Sequence, residues 1–335
     1  MTAKVFEPRT AIYTPAEVSA IGVERVRDLE KNRHRAMPLN IAEIRDYFAP
    51  MMPGQICAII AQTSNYKTGF MTFWERRLAE YLEKQGRENE IIVRIDVENQ
   101  MEDVAFESFA QFSGQSLGDL ARGKVDDWDG LMAAAIKLGS IMVYRVGSSI
   151  SRAENMPNLY LSNMYRSIVY MRDELLEEKV KVAAVFVDYL QAFPIDPEIK
   201  KVEASNQRRL QVREDIFRLR EMAAVLDCPV IVGVQAKQTL AGASGPNMLI
   251  PGIYDGEESS AIAQRCDRII QLWMPKMTHQ VGSTITHKAL PIDVQENMLW
   301  VKVGKQRGGL PSGRAWPCYI DFKTGRIAPA TNINL

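Results

Sequence analysis

The feature that most constrains this chain is the alternation of short Val- and Ile-rich runs with longer amphipathic stretches. The apolar runs fall at residues 56–61, 91–95, 141–146, 182–187, 230–234, 268–273, 298–303 and 315–320. Most are too continuous for strands with one wet face. They read as strands covered on both sides, which predicts an α/β fold with a twisted, mostly parallel sheet flanked by helices. Two of the covering helices are plain. Over 161–178, Leu161, Met164, Ile168, Met171 and Leu175 share one face. Over 210–226, Val212, Ile216, Leu219, Ala223 and Leu226 do the same. Asp227-Cys228-Pro229 follows, and Pro229 stops the helix and restarts the chain as a strand.

Charge and composition exclude several function classes. The 335 residues carry 41 Lys+Arg and 41 Asp+Glu, so no global field draws the chain to a polyanion. Any nucleic-acid surface must be a local patch or a groove made on assembly. Cys57, Cys228, Cys266 and Cys318 stand far apart and read as buried, reduced thiols. His34, His279 and His287 cluster with neither acids nor cysteines, which argues against a structural zinc site or a Ser-His-Asp triad. No apolar run reaches the ~20 residues of a membrane span and the N-terminus has no signal-like core, so a cytoplasmic protein is expected. Residues 1–37 form an N-terminal extension, in which 15–35 read as one charged helix. That helix is either a solvated face or an arm that packs on another subunit. Residues 236–259, rich in Gly with Pro246 and Pro251, read as a long loop.

The strongest local signal is ICAIIAQTSNYKTGF at 56–70, a buried strand, a polar turn, Lys-Thr, and then a helical pattern. Phosphate binding needs this order, because the turn and the helix N-terminus present backbone N–H groups to an anion. The cradle would be Ala61, Gln62, Thr63, Ser64, Asn65, Tyr66, Lys67, Thr68 and Gly69. Lys67 would neutralise phosphate charge, and the Thr68 hydroxyl would ligate Mg²⁺. Ala61 and Tyr66 occupy positions where this pattern has glycine. Tyr66 therefore implies a distorted loop, or a ring stacked beside the nucleotide. Two further strands end in acids. AAVFVDYLQ places Asp188 where Mg²⁺ is held beside phosphates, and IIVRIDVE ends in Asp96 and Glu98. Alternation puts those two on a common face, and one of them would polarise an attacking water.

In order and spacing these pieces resemble the C-terminal ATPase domain of DnaB-type replicative helicases. The resemblance spans about residues 38–326, from PLNIAEIRDYFAPMMPGQICAIIAQ through DVEN, VFVDYLQAF, MAAVLDCPVIVGVQAKQTL and SSAIAQRCDRIIQLW to VKVGKQRGGLPSGRAWPCYIDFKTGRI. It implies a RecA-like P-loop fold over 38–335 with antiparallel C-terminal strands, binding ATP and Mg²⁺. Glu98 becomes the base, Asp188 the magnesium carboxylate and Gln235 the γ-phosphate sensor. Lys305 and Arg307 map onto a Lys-x-Arg pair that enters the adjacent subunit's site. A phosphate loop beginning with Ala is in character for the family, whereas Tyr66 is a departure that bears on hydrolysis more than on binding. The resemblance further implies a homo-oligomer, a hexameric ring, that translocates on single-stranded DNA. Lys200, Lys201, Arg208, Arg209 and Lys237 are the candidate nucleic-acid contacts. Glu257 stands where the family's DNA loop offers Arg. The family's helical N-terminal domain is not found in this sequence, so the expectation is a stripped-down phage, plasmid or mobile-element helicase, or a partner-dependent loader or recombination ATPase. The competing expectation is a nucleotide-gated assembly protein or loader with little hydrolysis.

Overall fold

The computed structural model describes residues 13–147, 160–175, 180–195, 204–237, 249–256, 260–287, 290–308 and 313–330. By its contacts the chain divides into two units, 1–36 and 37–335. The first holds helix α1 (Pro15–Lys31), opened by a capping box in which Thr14 Oγ1 accepts from Glu17 N and Glu17 Oε2 accepts from Thr14 N. No residue of α1 is buried, and Val18, Ile21, Val23 and Val26 are at least half exposed.

The second unit opens with the short helix α2 (Ala42–Arg45). Strand β1 (Ile56–Ala61) then leads into α3 (Lys67–Lys84), which stops where Gly86 turns left-handed. Next come β2 (Glu90–Asp96), α4 (Met101–Ser113), α5 (Leu117–Leu120), α6 (Trp128–Ser140) and β3 (Val143–Gly147). Helix α7 (Leu161–Tyr170), β4 (Lys181–Asp188), α8 (Ala204–Val225), β5 (Val230–Gln235), α9 (Ser260–Arg265) and β6 (Arg268–Trp273) follow. The chain closes with β7 (Thr284–His287), β8 (Leu290–Asp293), β9 (Met298–Gln306), β10 (Arg314–Asp321) and β11 (Arg326–Pro329).

Nine strands make one sheet in the order β11-β10-β9-β6-β1-β5-β4-β2-β3, and β7 and β8 form a separate hairpin. From β6 to β3 every pairing is parallel, while β9, β10 and β11 join antiparallel. Both faces are covered, as the unbroken apolar runs require. One face packs on α2, α3 and the segment around Met37 and Phe48, and the other on α7, α8 and α9. Trp74 of α3 anchors the first face, meeting Phe48, Phe70 and Phe186 edge-on. All four cysteines are buried and none forms a disulfide. Among the described residues no helix is long and apolar enough to cross a membrane.

This topology sets the carboxyl ends of the central strands side by side. Ala61 of β1 lies opposite Gln235 of β5, and Asp96 of β2 lies opposite Asp188 of β4. Ligands of open α/β sheets bind at this edge.

Candidate active site

The loop between β1 and α3 is shaped by its own side chains. Ser64 and Tyr66 adopt left-handed backbone conformations, φ 63° and 62°. Left-handed residues within a turn are a means of facing successive N–H groups toward an anion. Asn65 is 2% exposed. Its Nδ2 donates to Thr63 O (3.0 Å) and its Oδ1 accepts from Met274 N (2.8 Å), so it fixes the loop to the segment after β6. Gln62 Nε2 donates to Lys237 O (3.3 Å).

Tyr66 fits the position that usually demands glycine because the helix makes room for it. A Cβ on Gly69 would stand 2.5 Å from the tyrosine ring, so the ring lies where a side chain at 69 would be. Its edge meets Phe322, with centroids 6.1 Å apart. Burial, then the nearby Glu107, push its hydroxyl up to about 12. The ring thus packs half-buried against the core.

Lys67 begins α3 and is 8% exposed. Its Nζ sits 3.6 Å over the Tyr189 ring, and its Cδ is 3.2 Å from where Gly233 would carry a Cβ. Desolvation lowers its pKa, opposed by the charges of Asp188 and Glu98. Thr68 is half-buried in the same helical turn.

Asp188 is fully buried at the end of β4. Arg94 Nη2 donates to its Oδ2 (2.7 Å), while Oδ1 has no hydrogen-bond partner. Arg94 also donates through Nη1 to Glu75 Oε2 (3.2 Å) and places Nε 3.6 Å from Asp96 Oδ2. Arg145 Nη2 donates to Glu75 Oε1 (2.7 Å). Asp96 is therefore spoken for: it accepts from Asn99 N and Nδ2, and burial raises its pKa against the opposing charge of Arg94. Strand β2 ends at Asp96, so the expected alternation does not continue to Glu98, which is exposed. Gln235 ends β5 with Nε2 donating to Thr63 Oγ1 (2.8 Å). Gln191 holds the Gln235 backbone at both its N–H and its carbonyl.

The loop, Lys67, Thr68, Asp188, Glu98 and Gln235 thus gather at one edge. Lys305 and Arg307 do not join them. Lys305 Nζ donates to Ala263 O (2.6 Å), and Arg307 donates to Gln264 O (2.7 Å) and Asp267 Oδ1 (3.2 Å). Asp267 in turn accepts from Ile56 N, at the start of β1. The pair therefore lies beside the beginning of the strand whose end carries the phosphate loop, about 17 Å of strand away. Arg208 donates to the carbonyls of Phe193 and Gln191. Arg209 and Lys237 are exposed, and Lys200, Lys201 and Glu257 lie outside the described residues. The sequence reading missed Glu75, Arg94, Arg145 and Gln191. Arg94 alone had a visible signal, a cation inside the apolar run IIVRID.

The residues present suit a metal carried on phosphates. A buried carboxylate oxygen without a partner is costly, and here it faces the crevice that Lys67 and Gly233 share. Among the described residues no group of three or more His, Cys, Asp or Glu could cage an ion, and Mg²⁺ held by one carboxylate and a nucleotide needs none.

A phosphate-type loop after the first strand of a mostly parallel sheet, with acids ending β4 and β2, defines a RecA-like ATPase domain. The chain belongs to the DnaB-like helicase C-terminal domain family, whose model matches residues 37–315. Among solved structures it resembles one described as an ATPase domain, at 15% identity and TM-score 0.70, over 94% of this chain and 99% of that one. It also resembles a DnaB-like replicative helicase described with its interactions with primase. There the identity is 16% and the TM-score 0.65, over 87% of this chain and 63% of that one. No curated protein sequence matches it.

Proposed function

We propose that this chain is the ATP-hydrolysing subunit of a ring-shaped helicase or translocase on single-stranded DNA, with each nucleotide completed by two neighbouring subunits. Lys67 and the loop amides would hold the phosphates, and Thr68 and Asp188 would hold Mg²⁺. When bound, the ion supplies charge neutralisation to the transferring phosphoryl group. Glu98 is the base for the attacking water, because Asp96 is already committed to Arg94 and Asn99 while Glu98 is exposed and within the electrostatic reach of Lys67. Gln235, bonded to the loop through Thr63, would register the γ-phosphate.

The observation that carries the reading is the placement of Arg307 and Lys305 beside the start of β1, opposite the loop edge. That position suits a pair that completes another subunit's site. Two exposed apolar faces support assembly. One is on α1, with Val18, Ile21 and Val26, and the other is on α6, where Trp128, Met132 and Ile136 recur every fourth residue at 64%, 56% and 72% exposure. Arg209 and Lys237, both exposed, would contact DNA phosphates, whereas Arg208 supports the turn after β4. A partner protein of a replication or mobile-element pathway belongs to the same reading. Tyr66 and Glu257 are the residues that favour the alternative, an assembly protein with weak or no hydrolysis, but the Tyr66 ring packs on Gly69.

The test is ATP turnover with and without single-stranded DNA, run on mixed variants. Lys67→Ala and Arg307→Ala should each be inactive alone, yet regain activity when mixed, since one interface in such a mixture has both sound halves. No recovery, or turnover indifferent to DNA and to mixing, defeats the proposal.

A further inference from the structure

We infer that Arg94 is a positioning residue for the metal carboxylate: it occupies one oxygen of Asp188 and leaves the other as the only one offered to a cation beside Lys67. The inference rests on the reading of Asp188 as the Mg²⁺ ligand and assigns a residue that acts through it. Arg94 is 1% exposed in the middle of a central strand. Its 2.7 Å bond takes Oδ2, while Oδ1 remains buried and unbonded, 3.2 Å from the Cβ position of Gly233. The guanidinium is kept in place by Glu75, which accepts from Nη1 and is itself held by Arg145, and by the charge of Asp96 3.6 Å from Nε. Glu75 lies on α3, the helix that Lys67 begins. One planar cation therefore braces the phosphate lysine's helix against the strand that carries the metal carboxylate. A lysine could not do so, since a single ammonium cannot reach three carboxylates in a fixed fork.

The experiment uses the full chain and a fluorescent ADP analogue, titrated with Mg²⁺ from a metal-free start, for wild type, Arg94→Lys and Arg94→Met. In Arg94→Lys, metal-free ADP binding should stay close to wild type, while the Mg²⁺ concentration giving half the response should rise about 10-fold or more, the usual penalty for losing an outer-shell partner. Arg94→Met should be worse if it folds, and Arg94→Lys decides if it does not. An unchanged Mg²⁺ midpoint in Arg94→Lys, or equal losses with and without Mg²⁺, overturns the inference while leaving the site reading intact. Wild type that binds ADP with no response to Mg²⁺ overturns both.

Discussion

At the end of β1, the side chains that would meet a nucleotide are gripped by their own chain. Asn65 is bonded in two directions, Gln235 is bonded to Thr63, and Asp188 is braced by Arg94. Beside the start of the same strand, Lys305 and Arg307 rest on the last carbonyls of α9 and on Asp267, with Arg307 about half exposed. The first region is built to stay put, and the second is held by contacts that water or another subunit could replace. A site divided as proposed would let binding belong to one chain and chemistry to a pair.

The sharpest way to break that contrast is Arg307→Ala. It should lower turnover by about 10³-fold or more and leave nucleotide affinity nearly unchanged, read by comparing steady-state rates with equilibrium binding. An equal fall in both would place Arg307 in the binding half. Glu98→Gln should cost turnover roughly 10²–10⁴-fold, again with binding intact. Lys67→Ala falls on the other side of the line. Affinity itself should drop by about 2–5 kcal/mol, measured with a fluorescent nucleotide, because the buried cation proposed to hold phosphate is gone.

Gly69→Ala tests how tightly the binding half is fitted. With Tyr66 present the new methyl overlaps the ring, and stability should fall by about 1–3 kcal/mol in urea unfolding. In a Tyr66→Gly background the same change should cost little, which is the pairwise coupling that a double-mutant cycle reads. Additive effects would mean the ring has another place to go.

The smallest effect is one of pH. Burial, then Asp96, raise the pKa of Glu107 above its ordinary 4.5. The folded chain therefore holds that proton more firmly than the unfolded chain. The stabilisation is complete below pH 4.5 and is lost as pH climbs through the raised value. Glu107→Gln should remove this loss, which amounts to no more than ~1.4 kcal/mol per pH unit. Urea unfolding across that range checks the sign.

Strands buried on both faces were the most legible part of the fold. β1 and β6 occupy the residues that their apolar runs mark, 56–61 and 268–273. β9 runs on to Gln306, because pairing with β6 carries it past its apolar part into polar residues. The helix expected over 161–178 is α-helical to Tyr170 and continues as a π turn over Met171–Leu175, and its last residues lie outside the described ones. β7, β8 and β11 went unmarked, since four-residue strands with Pro291 or Pro329 among them show no periodicity. In the site, Lys67 and Asp188 were readable because strand ends and helix starts leave local signatures. The Arg94 network was not, because Glu75 and Asp188 stand 19 and 94 residues from the arginine and only the sheet order brings them together.

The ring of Tyr66 resting where a side chain at 69 would be has a consequence for descent. A tyrosine arriving before the glycine would have met an occupied space, and a methyl regained at 69 today would strike the ring. The two positions are therefore linked: a side chain at 69 is accommodated when the tyrosine ring moves aside or when residue 66 changes first.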